Sequence, residues 1–466
     1  MVFSSPAFLF IFFPLFYALY FVLPRVLRNA FILLASVAFY VLGAGALTLV
    51  ALALLLVNWK LAALLAGPRR SRAWMTAAVA LNLAPLLFFK YLVFFAQMLN
   101  DVSGIALIAD PHKLGLALPL GISFFTFHFL SYLTDVYLRR SAPEPSLQKF
   151  AIYIFLFPHL IAGPVVRFAE VKQQLDIRCR QLQRSDVFWG MVLFIVGLAK
   201  KILIADPLGA VSDSVYLPGA ALSTYAAWMA ALCYAFQIYF DFSGYTDMAI
   251  GMARMMGFRF PRNFNRPYAA RSMTEFWQRW HMTLSRWFRD YVYIPLGGNR
   301  AGSYKVYRNS FIVFVLCALW HGAAYTFLVW GIGHGMLLAL ERAGILRSER
   351  LRLGSLPVFL LAVLLWVPFR ATSLTQTQAF LGAMSGLDGA VPLWSDNNRM
   401  LADPKVLCLL LLSALICLCG DRLFYRLRQR SLRRPLLLGL YCGALYLLAC
   451  VSVVERGFNP FIYFQF

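Results

Sequence analysis

Apolar stretches long enough to cross a lipid bilayer follow one another along this chain, and that pattern leaves few folds open. Ala7 to Pro24, Gly45 to Gly67, Ala73 to Leu99, Leu353 to Phe369 and Pro435 to Val451 are examples. Each is close to the ~20 residues a helix needs to span ~30 Å of hydrocarbon. By that length rule the chain is an all-α, polytopic integral membrane protein with roughly eleven spans, plus shorter pieces that enter the bilayer and return. Composition agrees: 61% of the 466 residues are hydrophobic, 14% are charged, and the mean hydropathy is +0.69. A water-facing surface does not accommodate that much apolar area.

The net charge of +23 does not point to nucleic acid. The Lys and Arg residues cluster in short loops between apolar runs, where they set topology and meet anionic headgroups of the lipid bilayer. A nucleic-acid partner would need a soluble basic face, which the sequence has little room for. Arg25 and Arg28 after the first span, and Arg69, Arg70 and Arg72 after the next pair, mark cytoplasmic loops. The stretch Arg422 to Arg434, with six arginines, marks another before one last span, so both termini are expected on the outer side. The opening MVFSSPAFLF has neither a basic leader region nor a cleavage site and reads as a retained first helix. No repeat or separable soluble domain is evident, so residues 1–466 are expected to form a single membrane domain. The eight cysteines form no CxxC pair and read as small apolar residues, and no metal site is expected.

Two segments disturb a simple span count. Ala151 to Val166 lies between Lys149 and Arg167, and Val187 to Ala199 between Arg184 and the pair Lys200 and Lys201. Segments with both ends on one side read as re-entrant. The first contains Pro158, Gly163 and Pro164, which suits either a broken segment lining a wet cavity or a kinked span. The stretch from Arg254 to Arg308, with eleven Lys or Arg, is the most polar and reads as the cytoplasmic centre.

Five of the six histidines, His128, His159, His281, His321 and His334, sit in strongly apolar sequence. Ionisable groups at membrane depth suggest function, although a single one is more often a hydrogen-bonded core residue. His321 stands out. It lies thirteen residues beyond Arg308, roughly 20 Å into the bilayer if the stretch is helical. Gly322 follows and permits close approach of a ligand or backbone. A neutral imidazole there can take a proton from a hydroxyl.

His281 lies in SMTEFWQRWHMTLSRWFRDYVYIPLGG, where Ser272 and Glu275 make a capping box that starts a helix. Continued without interruption, that helix is amphipathic and lies at the membrane surface. Trp277, Trp280, His281, Leu284, Trp287, Phe288 and Tyr291 fall on one face, and Gln278, Arg279, Ser285, Arg286 and Arg289 on the other. The arginines either meet lipid phosphates or grip the phosphates of an acyl donor. On the second reading Arg279 and Arg289, with Trp277, are the donor contacts. Asp241, in YFDFSGYTD with Asp247, either orients a histidine or binds a backbone donor at a helix end, and a plain structural cap is as good a reading.

No Walker A sequence, GxSxG, HExxH or clustered-histidine di-iron pattern occurs. A transporter stays open on the residues alone, because broken segments and buried polar groups also mark transport sites. A scaffold that merely recruits other enzymes is the third reading.

The strings PLGISFFTFHFLSYLTDVY, FPHLIAGPVVRF, YFDFSGYTDMAIG, EFWQRWHMTLSRWFRDYVYIPLGGNR and LWHGAAYTFLVWGIGHG, with MVFSSPAFLF and NPFIYFQF at the two ends, closely resemble the alginate O-acetyltransferase branch of the membrane-bound O-acyltransferase superfamily. The resemblance covers nearly the whole chain. It implies a ring of transmembrane helices around a thin catalytic core, in which a cytoplasmic funnel meets a tunnel from the other side. The family's catalytic histidine falls on His321 and its second histidine on His281. The implied reaction passes an acetyl group from a cytoplasmic thioester, acetyl-CoA or an acyl carrier, to a hydroxyl reached through the tunnel, with no tightly bound cofactor. The implied setting is the bacterial inner membrane with both termini periplasmic. The implied partners are periplasmic SGNH-type acetyltransferases and polysaccharide export machinery, with alginate or cellulose as the polymer.

Overall fold

The computed structural model describes residues 2–68, 71–104, 118–217, 219–220, 222–300, 302–346, 354–387, 401–431, 435–457 and 459–462. Arg69, Arg70, Arg433 and Arg434 lie outside the described residues, as do the side chains of the other arginines from Arg422 on. Regular structure among the described residues is helical throughout, with no strand. Among the described residues, four helical stretches have the length and composition to cross a bilayer: Arg25–Ala66, Arg72–Ser103, Arg184–Tyr216 and Leu436–Glu455. Phe8–Val22, Leu356–Arg370 and Pro404–Gly420 are apolar but shorter. Leucines and valines such as Val22, Val26, Leu34, Leu49, Val102 and Leu436 stand bare on the outside. A surface of this kind suits hydrocarbon, where exposed apolar area carries no penalty.

The chain divides into two compact units, Met1–Leu193 with Ala249–Pro261, and Phe194–Met248 with Arg262–Phe466. In the first, Phe3, Phe8, Phe12, Phe39 and Phe157 form one aromatic cluster with ring centroids 5.0–6.5 Å apart. Some polar side chains inside the unit are paired. Asn58 and Asn82 exchange amide hydrogen bonds of 2.9 and 2.7 Å between neighbouring helices. Tyr17 and Tyr20 donate to the carbonyls of Met252 and Met256.

The segment Ala151–Val166 is broken, as its prolines and glycine suggest. The helix Leu147–Phe155 stops at Leu156, a single turn Phe157–Leu160 follows, and the backbone is then irregular to Val166. Every residue of the segment is buried, Pro158, Gly163 and Pro164 included. Irregular backbone at membrane depth is tolerated when protein covers it. Gly163 is at φ +131°, and a Cβ there would lie 3.2 Å from the Pro158 carbonyl oxygen. His128 and His159 also belong to this unit, with ring centroids 4.9 Å apart.

The second expected re-entrant segment is corrected. Val187–Ala199 does not turn back, because the helix Arg184–Ala199 runs on through a π-helical turn, Lys200–Ala205, into Asp206–Tyr216. The 33 residues form one uninterrupted stretch. The basic pair that resembled a loop is neutralised within the second unit. Lys200 Nζ lies 2.6 Å from Asp247, and Lys201 Nζ lies 2.6 Å from Asp206 and 2.9 Å from Asp241. Beside this cluster Gly197 and Gly244 let two helices touch, since a Cβ at Gly197 would lie 2.5 Å from the Gly244 carbonyl oxygen and one at Gly244 2.6 Å from that of Gly197. The stretch before Arg434 is also less loop-like than expected, because the helix Pro404–Ser431 carries the backbone through most of it.

Lys201 is buried between two carboxylates, so Lys201→Met leaves both without their cation and is expected to destabilise the protein by about 3–5 kcal/mol. Lys200→Met, at a more exposed pair, is expected to cost much less. Thermal unfolding of the two variants in detergent checks the difference.

Candidate active site

Three of the apolar-context histidines, His281, His321 and His334, belong to the second unit and share one aromatic shell. His321 ends the helix Ser303–His321. The chain leaves that helix at Gly322 in an extended conformation, and a Cβ there would lie 2.0 Å from the Phe327 ring. The group that comes close to Gly322 is therefore this ring. Gly331 does similar work in the next helix, Tyr325–Arg342, where a Cβ would lie 2.7 Å from the Phe314 carbonyl oxygen. These contacts seat the two helices against each other and hold His321 among Trp320, Trp330 and Phe369, with ring centroids 4.8, 4.8 and 5.4 Å from its own.

His321 is only 3% exposed, and its Nδ1 is 2.7 Å from the Cys317 carbonyl oxygen one turn back. A carbonyl can only accept, so Nδ1 carries the proton and Nε2 keeps its lone pair in the neutral ring. A general base for a hydroxyl proton needs this tautomer.

His281 is fully buried, but the single amphipathic helix expected around it is not found. The capping box does start a helix, Met273–Arg279, with Ser272 Oγ accepting from the Glu275 N–H. The Glu275 carboxylate reaches back to the N–H of Arg271. The helix then stops. Trp280 is extended, His281 is left-handed at φ 42°, ψ 52°, and a second helix runs from Met282 to Phe288. The cause lies in an irregular stretch upstream. Asn263 accepts the Met282 N–H at its carbonyl, 2.8 Å, and the Thr283 N–H and hydroxyl at Oδ1, 3.2 and 2.8 Å. Asn265 donates its N–H to the Arg279 carbonyl, 2.9 Å. One short segment thus satisfies the end of the first helix and the start of the second.

Asn263 Oδ1 also lies 3.1 Å from His281 Nδ1. That atom accepts from a backbone N–H, which fixes it as oxygen and makes His281 Nδ1 the donor. The two histidines are therefore in the same tautomer, and the Trp320 ring touches both, with centroids 5.9 Å from His281 and 4.8 Å from His321. Asn263, Cys317, Trp320, Trp330 and a role for His334 did not emerge from the sequence. The one available signal was the spacing of Trp330 and His334, four residues apart in a helical run.

The other sequence candidates are placed as follows. Trp277 is buried and its indole N–H points to His334 Nδ1, 3.3 Å, so its polar contact is with a site histidine. Arg279 pairs with Glu275 one turn earlier, and Arg289 is held by both oxygens of Asp290. Among the described residues no histidine meets Asp241. Its oxygens take Lys201 and the backbone N–H of Ile462, at 2.9 and 2.8 Å, which agrees with the backbone-donor reading. Pro158, Gly163 and Pro164 belong to the first unit.

Known proteins extend the picture. The membrane-bound O-acyltransferase family profile matches residues 128–355, a span that contains all three site histidines. A probable alginate O-acetylase, AlgI, of Pseudomonas putida is 39% identical over 500 aligned positions that cover the whole of both chains. The chain belongs to the membrane-bound O-acyltransferase family. A second probable AlgI, from Pseudomonas aeruginosa, is 40% identical over 91% of this chain and 82% of its own length. A peptidoglycan O-acetyltransferase of Helicobacter pylori is 35% identical over 84% of this chain and 80% of its own. The protein is a multi-pass membrane acyltransferase.

Removing the Asn263 amide strips acceptors from Thr283 and His281, so Asn263→Ala is expected to lower stability by about 1–3 kcal/mol. His281→Gly is expected to be more stable than His281→Ala by about 1 kcal/mol, because only glycine tolerates the left-handed backbone without cost. Thermal unfolding of the purified variants measures both effects.

Proposed function

We propose that this acyltransferase moves an acetyl group from a cytoplasmic thioester, acetyl-CoA or an acyl carrier, toward hydroxyls of an exported polysaccharide. His321 is the general base, and His281 assists or positions the acceptor. The observation that carries the reading is the hydrogen bond from His321 Nδ1–H to the Cys317 carbonyl, which presents the basic nitrogen in an enclosed aromatic site. Acetyl is favoured as the group because the relatives matched over most of the chain are named for O-acetyl transfer. An exopolysaccharide such as alginate is favoured as the polymer because the alginate O-acetylases match at higher identity and over more of the chain than the peptidoglycan enzyme. Cellulose is the alternative exopolysaccharide.

On this reading the protein lies in the bacterial inner membrane with both termini periplasmic. It hands acetyl groups to periplasmic SGNH-type acetyltransferases beside the polysaccharide export machinery. Arg279 and Arg289 stay as candidate contacts for the donor's phosphates, provided that Glu275 and Asp290 release them. A transporter or a recruiting scaffold would not need His321 as a base.

The test is to express wild type and His321→Ala in the native host at matched membrane levels, then measure ester-linked acetate on the secreted polymer and identify its sugars. Loss of a general base is expected to lower acetate at least ~100-fold with polymer yield unchanged, and the sugar analysis names the polymer. Acetate that persists in the variant would overturn the assignment of His321 and favour the transporter or scaffold.

A further inference from the structure

Several tryptophans line the second unit's aromatic core, and their indole N–H groups differ in one respect. Trp277 donates to His334 Nδ1 at 3.3 Å. Trp366 donates to the Tyr268 hydroxyl at 3.1 Å, which in turn donates a hydrogen bond to the Ala235 carbonyl at 2.6 Å. Trp330 is fully buried, yet its Nε1–H meets no acceptor among the described residues.

His334 is in the same position. An indole N–H can only donate, so the bond from Trp277 makes His334 Nδ1 an acceptor and puts the ring proton on Nε2. This tautomer is opposite to that of His321 and His281. The Nε2–H is fully buried and also meets no acceptor among the described residues. Trp330 and His334 are four residues apart on the helix Tyr325–Arg342 and so share a face, with ring centroids 5.1 Å apart. The Trp330 ring is in turn 4.8 Å from the ring of His321.

Buried donors are almost always satisfied, and leaving one unmade costs free energy. Two neighbouring donors beside the base, in a shell where the Trp277 and Trp366 indoles are satisfied, call for an acceptor that arrives with the substrate. A carbonyl oxygen accepts two hydrogen bonds and brings no donor of its own. We propose that Trp330 Nε1–H and His334 Nε2–H hold the carbonyl oxygen of the acyl group during transfer. Trp277 acts through His334 as a positioning residue that fixes its tautomer.

The inference rests on the acyl-transfer reading of His321. The acceptor hydroxyl attacks the thioester carbonyl carbon while His321 Nε2 takes its proton. The C=O π electrons move to oxygen, and the two N–H groups receive the alkoxide. Collapse re-forms C=O and breaks the C–S bond, and the departing thiolate takes the proton back from His321. Ester and thiol are released, and the imidazole is neutral again. Donors fixed in place before the charge develops act most strongly where water is excluded.

The experiment measures ester-linked acetate on the secreted polymer in the native host, during the linear phase after induction and at matched membrane levels of the full chain. Trp330→Phe keeps the ring and removes only the N–H, so a fall on the order of 100-fold is expected. His334→Leu should fall as far, and His334→Gln, which restores an N–H donor, should recover part of the rate. Trp277→Phe should also be slow, but Trp277→Phe combined with His334→Gln should be no slower than His334→Gln alone, because the tautomer no longer matters. A purely structural role would give neither the recovery nor the non-additivity. If His334→Leu fails to accumulate, Trp330→Phe decides the question. Wild-type acetylation by Trp330→Phe, with His321→Ala inactive, overturns the donor pair and leaves the base in place. Full acetylation by His321→Ala overturns the underlying reading itself.

Discussion

One asparagine side chain determines where the second site histidine can be. Without Asn263, the run from Met273 to Phe288 has the capping, composition and periodicity of a single helix, and His281 would be one more position on its apolar face. Asn263 instead offers its backbone carbonyl to Met282 and its amide oxygen to Thr283 and His281. The left-handed conformation of His281 costs an L-residue roughly 1–2 kcal/mol, and these bonds offset it. The result is a fully buried imidazole in a fixed tautomer, facing the same indole as His321. Backbone strain stored at a single residue is here tied to an observed φ of 42° and to a named set of compensating bonds.

The charged residues obey the same economy. An ammonium inside an apolar helix is tolerated only when its charge is met, and Lys201 shows how. Asp206 lies five residues on along the same run, Asp241 comes from another helix, and the spare oxygen of Asp241 takes the N–H of Ile462. The cluster ties the chain near its C-terminus to the helix Thr224–Met255. Phe461 then lies 5.4 Å from Phe242, whose ring meets the His281 ring edge-on at 4.6 Å. Packing thus connects the ion cluster to the site histidine without any direct contact between them.

These two features also mark where reading the sequence succeeds and where it fails. The helical class, the apolar spans and the burial of His321 and His281 were legible, because hydropathy, capping signals and an ionisable group in apolar surroundings are local properties of a string. The break at His281 was not, since its cause lies eighteen residues upstream in an asparagine that looks like any polar loop residue. Lys200 and Lys201 were misread as the end of a segment for a related reason. A lysine beside an apolar run looks like a loop whether or not a carboxylate from elsewhere neutralises it, and Asp241 and Asp247 are 40 and 47 residues away from their partners. Asp241 takes the Ile462 N–H as well as Lys201, because a buried carboxylate needs donors and a backbone N–H is one at hand.

The chemistry of the site depends on hydrogen bonds that fix proton positions more than on the presence of three histidines. Neutral imidazole is both donor and acceptor, and the protein chooses which nitrogen plays which part by the partner it gives the other. Acceptors on Nδ1, the Cys317 carbonyl and the Asn263 amide oxygen, leave His321 and His281 with basic Nε2 atoms. A donor on Nδ1, the Trp277 indole, gives His334 the reverse polarity. Acyl transfer needs both kinds of group, a lone pair to receive the hydroxyl proton and an N–H to receive the developing oxyanion. A shell of interlocking aromatic rings keeps these side chains from rotating between roles. It also excludes water, which would otherwise satisfy every donor and acceptor alike and erase the distinction.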